Sequence, residues 1–252
     1  MKKFLLGTVG LIALGMAPAS AADLAPRPYT KAPPMVAPVY DWSGFYIGAN
    51  GGWANQHSCF NAVTPAGTFL GNEGCHNADG GVVGGQIGYR WQASQWVFGL
   101  EAQGDWADLR GSNESLLFPG FTNRSRMDAF GLFTGQVGYA WNNVLFYVKG
   151  GAAVTDNRSD IIFDVANTVV GTSSNNTQWG GTVGAGLEYG FAPGWSVAVE
   201  YDHIFMNNHT TTFFVPATST VFATDRISGD VDMVTARVNY HFNWGGPVIA
   251  KY

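Results

Sequence analysis

The feature that most constrains this chain is a motif that returns about every 50 residues. Gly84-Gly85-Gln86-Ile87-Gly88-Tyr89-Arg90-Trp91 recurs as Thr134-Gly135-Gln136-Val137-Gly138-Tyr139-Ala140-Trp141. Looser copies are Gly184-Ala185-Gly186-Leu187-Glu188-Tyr189-Gly190-Phe191 and Ala236-Arg237-Val238-Asn239-Tyr240-His241-Phe242. Each copy alternates apolar and polar residues with period two and closes on aromatic residues. That periodicity belongs to a β-strand, and the helical period of 3.6 fits none of the copies. A fixed repeat of strands sets the architecture before any single residue does.

Three of the four copies are followed by a tight connector, at 92–95, at Asn142-Asn143 and at 192–194, and then by another alternating strand. Those strands are 96–106, 144–155 and 195–205, and with 42–54 at the start the count is eight. The other connections, 55–79, 107–127, 156–176 and 206–230, are long and polar. Short turns alternating with long loops predict an all-β fold, an eight-stranded antiparallel up-and-down transmembrane β-barrel. In such barrels short turns face the periplasm and long loops face outside.

Composition agrees with a barrel crossing lipid. Charged residues are 12% of the chain, against about 25% in soluble domains. Aromatics reach 14%, and Gly accounts for 34 of 252 residues. Beyond the N-terminus no apolar run approaches the ~18 residues of a spanning helix. A net charge of −5 excludes the basic surface that nucleic acid requires. Aromatics also gather at strand ends: Tyr89, Trp91, Trp96, Tyr139, Trp141, Tyr189 and Trp195 lie beside short turns, and Trp53, Trp106 and Trp179 lie toward long connections. Two girdles mark two membrane interfaces and argue against a soluble sandwich.

Residues 1–21 read as a secretory signal: Lys2 and Lys3, an apolar stretch from Phe4 to Leu14, and Ala19-Ser20-Ala21 before cleavage between Ala21 and Ala22. Residues 22–41 hold five of the 11 prolines and form a Pro-rich periplasmic tether. The barrel domain then covers 42–242, with a C-terminal tail at 243–252.

Alternation assigns the faces. Val83, Ile87, Leu100, Trp106, Phe146, Val148, Leu187, Val199, Val238 and Tyr240 share the apolar face, which must meet lipid, because a charge at mid-bilayer costs roughly 2–4 kcal/mol. Arg90, Glu101, Asp105, Lys149, Glu188, Glu200, Asp202 and Arg237 therefore point inward as a lumen charge network. An eight-stranded lumen is just wide enough for side chains to fill it. Ion pairing is then the expected role of these groups, and a narrow proton or small-ion path is the alternative.

Several motifs in order carry a family resemblance: Ala22-Asp23-Leu24 after the cleavage site, the Pro-rich tether, Trp42-Ser43-Gly44-Phe45-Tyr46-Ile47-Gly48, and the closing Val238-Asn239-Tyr240-His241-Phe242-Asn243-Trp244. Over nearly its whole length the chain resembles the alphaproteobacterial RopB-type major outer-membrane proteins, a group with surface antigens and haemin-binding members, whose barrel is similar to the OmpA transmembrane domain. The resemblance implies a place in the outer membrane of a Gram-negative cell. It implies envelope integrity, host interaction, weak porin behaviour or haem binding as roles. Here ten residues follow Phe242, where such barrels often end on the last strand's Phe.

Cys59 and Cys75 fall in one outer connection of an exported chain, and pairing as a disulfide is expected. Glu73 and His76 lie nearby, but their spacing matches no zinc pattern. His57, His76, His203 and His209, with Phe60, Phe213 and Phe214 beside them, are the candidates for haem. Asp202-His203 are adjacent on a strand and so point to opposite faces, which argues against a hydrolytic triad. Asp156, Asp160 and Asp164 lack the Gly and bidentate Glu of a calcium loop, and Gly181 to Gly186 lie in the wrong order for a dinucleotide loop. The reading is therefore a non-enzymatic barrel with a structural, envelope-integrity and surface-interaction role and no cofactor. Its partners are outer-membrane lipid and lipopolysaccharide, with a host or haem ligand at the outer loops. A haemin receptor and a narrow porin-like channel are the alternatives.

Overall fold

The computed structural model describes residues 40–173 and 177–242. The signal, nearly all of the tether and the tail after Phe242 lie outside these residues. Every described element is a strand: β1 (Gly44–Val63), β2 (Phe69–Ala93), β3 (Trp96–Glu114), β4 (Phe121–Trp141), β5 (Val144–Phe163), β6 (Thr168–Ser173), β7 (Thr177–Ala192), β8 (Trp195–Met206), β9 (His209–Phe214) and β10 (Val221–Phe242).

All pairings are antiparallel, and β1 pairs with both β2 and β10, so the sheet closes. At the tight-turn end the ring runs β1-β2-β3-β4-β5-β7-β8-β10. The expected ring of eight is there. The two additional strands arise because β5 pairs with β7 over Val144–Asp156 and then with β6 over Asp160–Phe163. Likewise β10 pairs with β8 from Asp230 and with β9 from Val221 to Ile227, and β6 pairs with β9. Past the ends of β7 and β8, the pair β6–β9 takes their place in the wall, so eight strands enclose the second level as well.

The expectation of four long loops needs correcting. Strands β1 to β5 and β10 run 19–25 residues, where about 9–11 suffice to cross a bilayer. The connections at that end are long hairpins with short tips at 64–68, 115–120, 164–167 and 215–220. Polar composition alone suggested loops, but period-two burial continues to the tips: in β5 Thr155, Asn157 and Ser159 are buried while Asp156 and Arg158 are exposed. At the other end the turns are tight, with Ser94 at φ 60°, Asn142 at φ 53° and Gly194 at φ 77°, the left-handed geometry that closes short hairpins.

Outside, the apolar set falls where alternation placed it. Val83, Ile87, Leu100, Trp106, Phe146, Val148, Leu187, Val199, Val238 and Tyr240 are all exposed, as are the ten girdle aromatics. A continuous belt of large apolar side chains on the outer face, with a packed interior, is the signature of a lipid-facing barrel.

Candidate functional site

The interior is filled in layers, and its floor was not anticipated. Tyr40 and Trp42, assigned from sequence to the tether and the first strand, fold under the barrel at the tight-turn end. Their rings lie 4.4 Å apart and pack with Val97, Ala140, Leu145 and Tyr147, and Trp42 is wholly buried. A Cβ on Gly190 would overlap the Tyr40 ring, so the floor requires glycine there. β1 accordingly begins two residues later than expected, at Gly44.

Above the floor lies the charge network. The repeat strands each deliver three inward positions: Gln86-Gly88-Arg90, Gln136-Gly138-Ala140, Gly186-Glu188-Gly190 and Arg237-Asn239-His241. Charge on one strand thus meets space on another. Arg90 Nη1 lies 2.8 Å from Glu188 Oε2, both side chains fully buried. Glu188 also accepts from Asn239 Nδ2 at 2.9 Å and from the Ser196 hydroxyl, with His241 Nε2 at 3.3 Å. Lys149 Nζ lies 2.6 Å from Glu200 and 3.3 Å from both Glu101 and Asp202. Arg237 bridges Glu101 at 2.9 Å and Glu200 at 2.5 Å. Its Nη2 also donates to Gln103 Oε1 at 2.8 Å.

Two tyrosines tie these pairs together. Tyr46 donates to Glu101 Oε2 at 2.6 Å, and Tyr147 donates to Glu200 Oε2 at 2.6 Å. Gln136 donates to the Tyr46 hydroxyl at 3.0 Å and accepts from Arg90 at 3.3 Å. The Arg90 guanidinium stands over the Tyr46 ring, 4.5 Å from its centre. Glycine makes room for both rings: a Cβ on Gly88 would overlap Tyr46, and one on Gly186 would overlap Tyr147. A buried charge is tolerable when paired and hydrogen-bonded; all of these are paired, and all but Asp202, which has the Lys149 ion pair alone, are hydrogen-bonded as well.

Seven of the eight expected lumen charges thus make ion pairs with one another. Asp105 is the exception. It accepts from Gln103 Nε2 at 2.9 Å and makes no ion pair among the described residues. Alternation sent it inward correctly, but its height along β3 places it past the cations. The participants missed by sequence, Tyr46, Tyr147, Gln136 and Ser196, sit on the inward face and were legible as such; their hydroxyl and amide roles were not.

Beyond Asp105 the lumen turns apolar. Leu109, Met127, Phe130, Leu132, Ile204 and Met233, each at most 4% exposed, form the largest buried cluster. A second apolar cluster of Phe60, Ile161, Phe213 and Ile227 lies among the long hairpins. Between them is a polar space of about 20 Å³, room for one water.

The haem candidates are dispersed. Phe60 and Phe213 are core residues, 1% and 0% exposed, and cannot flank a surface ligand. His57 bonds Asn77 at 2.7 Å, and His76 stacks on Phe60 and bonds Asn113 at 2.7 Å. His203 bonds Asp232 and His209 bonds Gln178, each at 2.7 Å. Burial lowers the proton affinity of His76 and His209, so both are held neutral. Asp202 and His203 point to opposite faces: Asp202 is in the lumen and His203 outside with Tyr201 and Phe205.

Cys59 and Cys75 stand directly opposite on β1 and β2, with their sulfurs 2.01 Å apart. The expectation placed them in a loop, but the strands continue past them, so the bond lies within the ladder. His57 Nε2 is 3.5 Å from Cys59 Sγ, yet a disulfide sulfur is not a thiolate ligand.

Comparison with known proteins agrees with this geometry. The family model "Outer membrane protein beta-barrel domain" matches residues 9–244. The chain is 30% identical over 178 residues to the 31 kDa outer-membrane immunogenic protein of Brucella melitensis biotype 1, covering 67% of this chain and 73% of that protein. It is 32% identical over 157 residues to the 22 kDa outer membrane protein of Rhizobium leguminosarum bv. viciae, covering 61% of this chain and 59% of that one. Among solved structures, OprG of Pseudomonas aeruginosa superposes with TM-score 0.51 at 13% identity, over 81% of this chain and 99% of that one. The outer membrane protease OmpT of Escherichia coli does so with TM-score 0.51 at 9% identity, over 82% and 99%. At such identities these two structures speak for the fold alone. A lipid-facing belt around a closed ring of strands, with a family match over most of the length, places the chain in the outer membrane as a member of the outer-membrane β-barrel family that includes alphaproteobacterial surface antigens.

Proposed function

We propose that this protein is a sealed barrel whose role is structural and interactive at the cell surface, without a solute path. The observation that carries this reading is the layered lumen: an aromatic floor, a linked ionic layer and two apolar plugs in series. Opening a path would strip charges of their partners, and removing one partner of a buried pair costs about 3–5 kcal/mol. The network thus fills and stiffens the barrel, and the names of the similar proteins point to surface antigens. Purified, refolded protein in planar bilayers should give no steady ohmic conductance. A reproducible open level would favour the narrow porin-like channel instead.

The outer wall offers a place for the surface role. Arg110, Arg126 and Arg158 stand opposite one another across β3, β4 and β5, on the outward face just past the Trp106 level. Like charges placed directly opposite in a sheet destabilise it, and an anion between them reverses that sign. Arg110 has Asp108 at 2.7 Å, an exposed pair of little worth. Lipopolysaccharide phosphates at this height are the fitting partner. The double substitution Arg126→Gln with Arg158→Gln should retain heat-modifiable folding but co-purify with less lipopolysaccharide. Unchanged co-purification would remove this contact from the reading.

A further inference from the structure

Among the long hairpins lies a cavity of about 210 Å³ that the sealed lumen does not use. Its walls are Phe118, Phe121, Ile161 and Phe222, and its polar residues are Glu73, Asn123 and Ser115, the last accepting from the Phe118 N–H. Phe118 and Phe222 are exposed at 49% and 41%, so they form a mouth open to the surroundings. Glu73 and Asn123 are 4% and 1% exposed, so the polar end is deep. A cavity of about 150 Å³ lined by apolar residues holds benzene, so this one accommodates a small aromatic body with a substituent.

The polar end contains acceptors in excess of donors. Asn123 Nδ2 donates to Glu73 Oε2 at 2.7 Å, which leaves the Asn123 carbonyl Oδ1 buried without a partner. Asp225 stands two residues after Ala223, a lining residue of the cavity, and so on the same inward face of β10. It is 1% exposed, and neither carboxylate oxygen has a hydrogen-bond partner. Burial and the neighbouring Glu73 charge push the Asp225 carboxyl up to about 7. Arg124 and Arg226, next to these residues in sequence, turn to the outer face by strand alternation and leave the end uncompensated. Buried acceptors without donors are costly, and the deficit calls for a ligand that brings N–H groups and positive charge.

We propose that this cavity binds a small organic ammonium ion, its apolar body among the four wall residues and its N–H groups on Glu73 and Asn123. An ammonium has three donors and no acceptor, which matches what the polar end lacks. The aromatic mouth adds attraction for a cation passing over the rings. A bare divalent metal is a poorer match, because it needs six or more oxygen ligands and makes no use of an aromatic wall.

The test uses the full refolded protein in detergent micelles, with 2-phenylethylammonium as probe and 2-phenylethanol as its uncharged counterpart. Binding is followed by ligand-observed saturation-transfer NMR and calorimetry. The ammonium should bind saturably and at least tenfold more tightly than the alcohol. Glu73→Gln should abolish that preference while leaving the alcohol's weak binding unchanged. Phe222→Ala, at the mouth, should weaken both probes alike, and heat-modifiable migration establishes that each variant is folded. Equal affinity for ammonium and alcohol would overturn the ionic assignment. Absence of saturable binding by either probe, or an ammonium affinity unchanged in folded Glu73→Gln, would overturn the site.

Discussion

Glu188 shows how much of the interior depends on single side chains. It is completely buried and is shared by Arg90, Ser196, Asn239 and His241. Arg90 cannot shed its proton, so removal of Glu188 leaves a permanent charge in the lumen. Glu188→Ala should therefore lower stability by about 3–5 kcal/mol. The readout is the urea midpoint for loss of the heat-modifiable band. Arg90→Met combined with Glu188→Met should recover most of that loss, since an apolar replacement of both partners is often neutral. If the double variant is as unstable as the single one, Arg90 contributes through something other than the pair. At this scale alternation in the sequence was enough to send Arg90 and Glu188 inward. It was not enough to show which cation meets which acid, because that depends on stagger around the ring. Nor did it show Trp42 beneath Arg90, with the guanidinium 5.9 Å from the indole centre, because no periodicity marks a residue that leaves the sheet.

Strands are the scale at which the sequence was most legible and at which it misled about where strands end. Their tight turns and lipid faces follow from period two and from aromatic ends. Their length does not, because past the membrane the outward residues become polar and a strand there looks like a loop. Cys59 and Cys75 illustrate the consequence. Ser58 pairs with His76 and Phe60 with Gly74 on either side of the bond, so the ladder and not the bond alone holds the hairpin. The same boundary between belt and hairpin separates two residues of identical exposure. Leu100 in the belt and Phe69 near a hairpin tip are each 62% exposed on the outer surface. Only Leu100 meets hydrocarbon, so Leu100→Arg should cost about 2–4 kcal/mol and reduce the folded fraction. Phe69→Arg should leave the folded fraction nearly unchanged. The heat-modifiable band after refolding into lipid vesicles measures both, and equal losses would mean the belt extends to the tips.

At the scale of the whole barrel the two ends differ, and the difference predicts its orientation in the membrane. At one end the turns close directly beneath the aromatic girdle of Trp91, Trp96, Trp141 and Trp195. At the other, the strands overrun the Trp53, Trp106 and Trp179 girdle and carry a second level of wall, with β6 and β9 completing it. A barrel inserted from the periplasm must pass one end through the bilayer, and tight turns with few polar groups remain on the side of entry in barrels of this kind. The overrunning end carries the exposed arginines and the aromatic-mouthed cavity, which have use only where ligands arrive. Epitope tags at the tips 64–68, 115–120, 164–167 and 215–220 should therefore bind antibody on intact cells. A tag at Asn142-Asn143 should bind only after the outer membrane is permeabilised. Each tip tag sits beyond the last ladder pair of its hairpin, as at Val63↔Phe69 and Glu114↔Thr122, so insertion there does not disturb the ring. Labelling of Asn142-Asn143 on intact cells, with silence at the tips, would reverse the molecule in the membrane and place both the arginine row and the cavity on the periplasmic side.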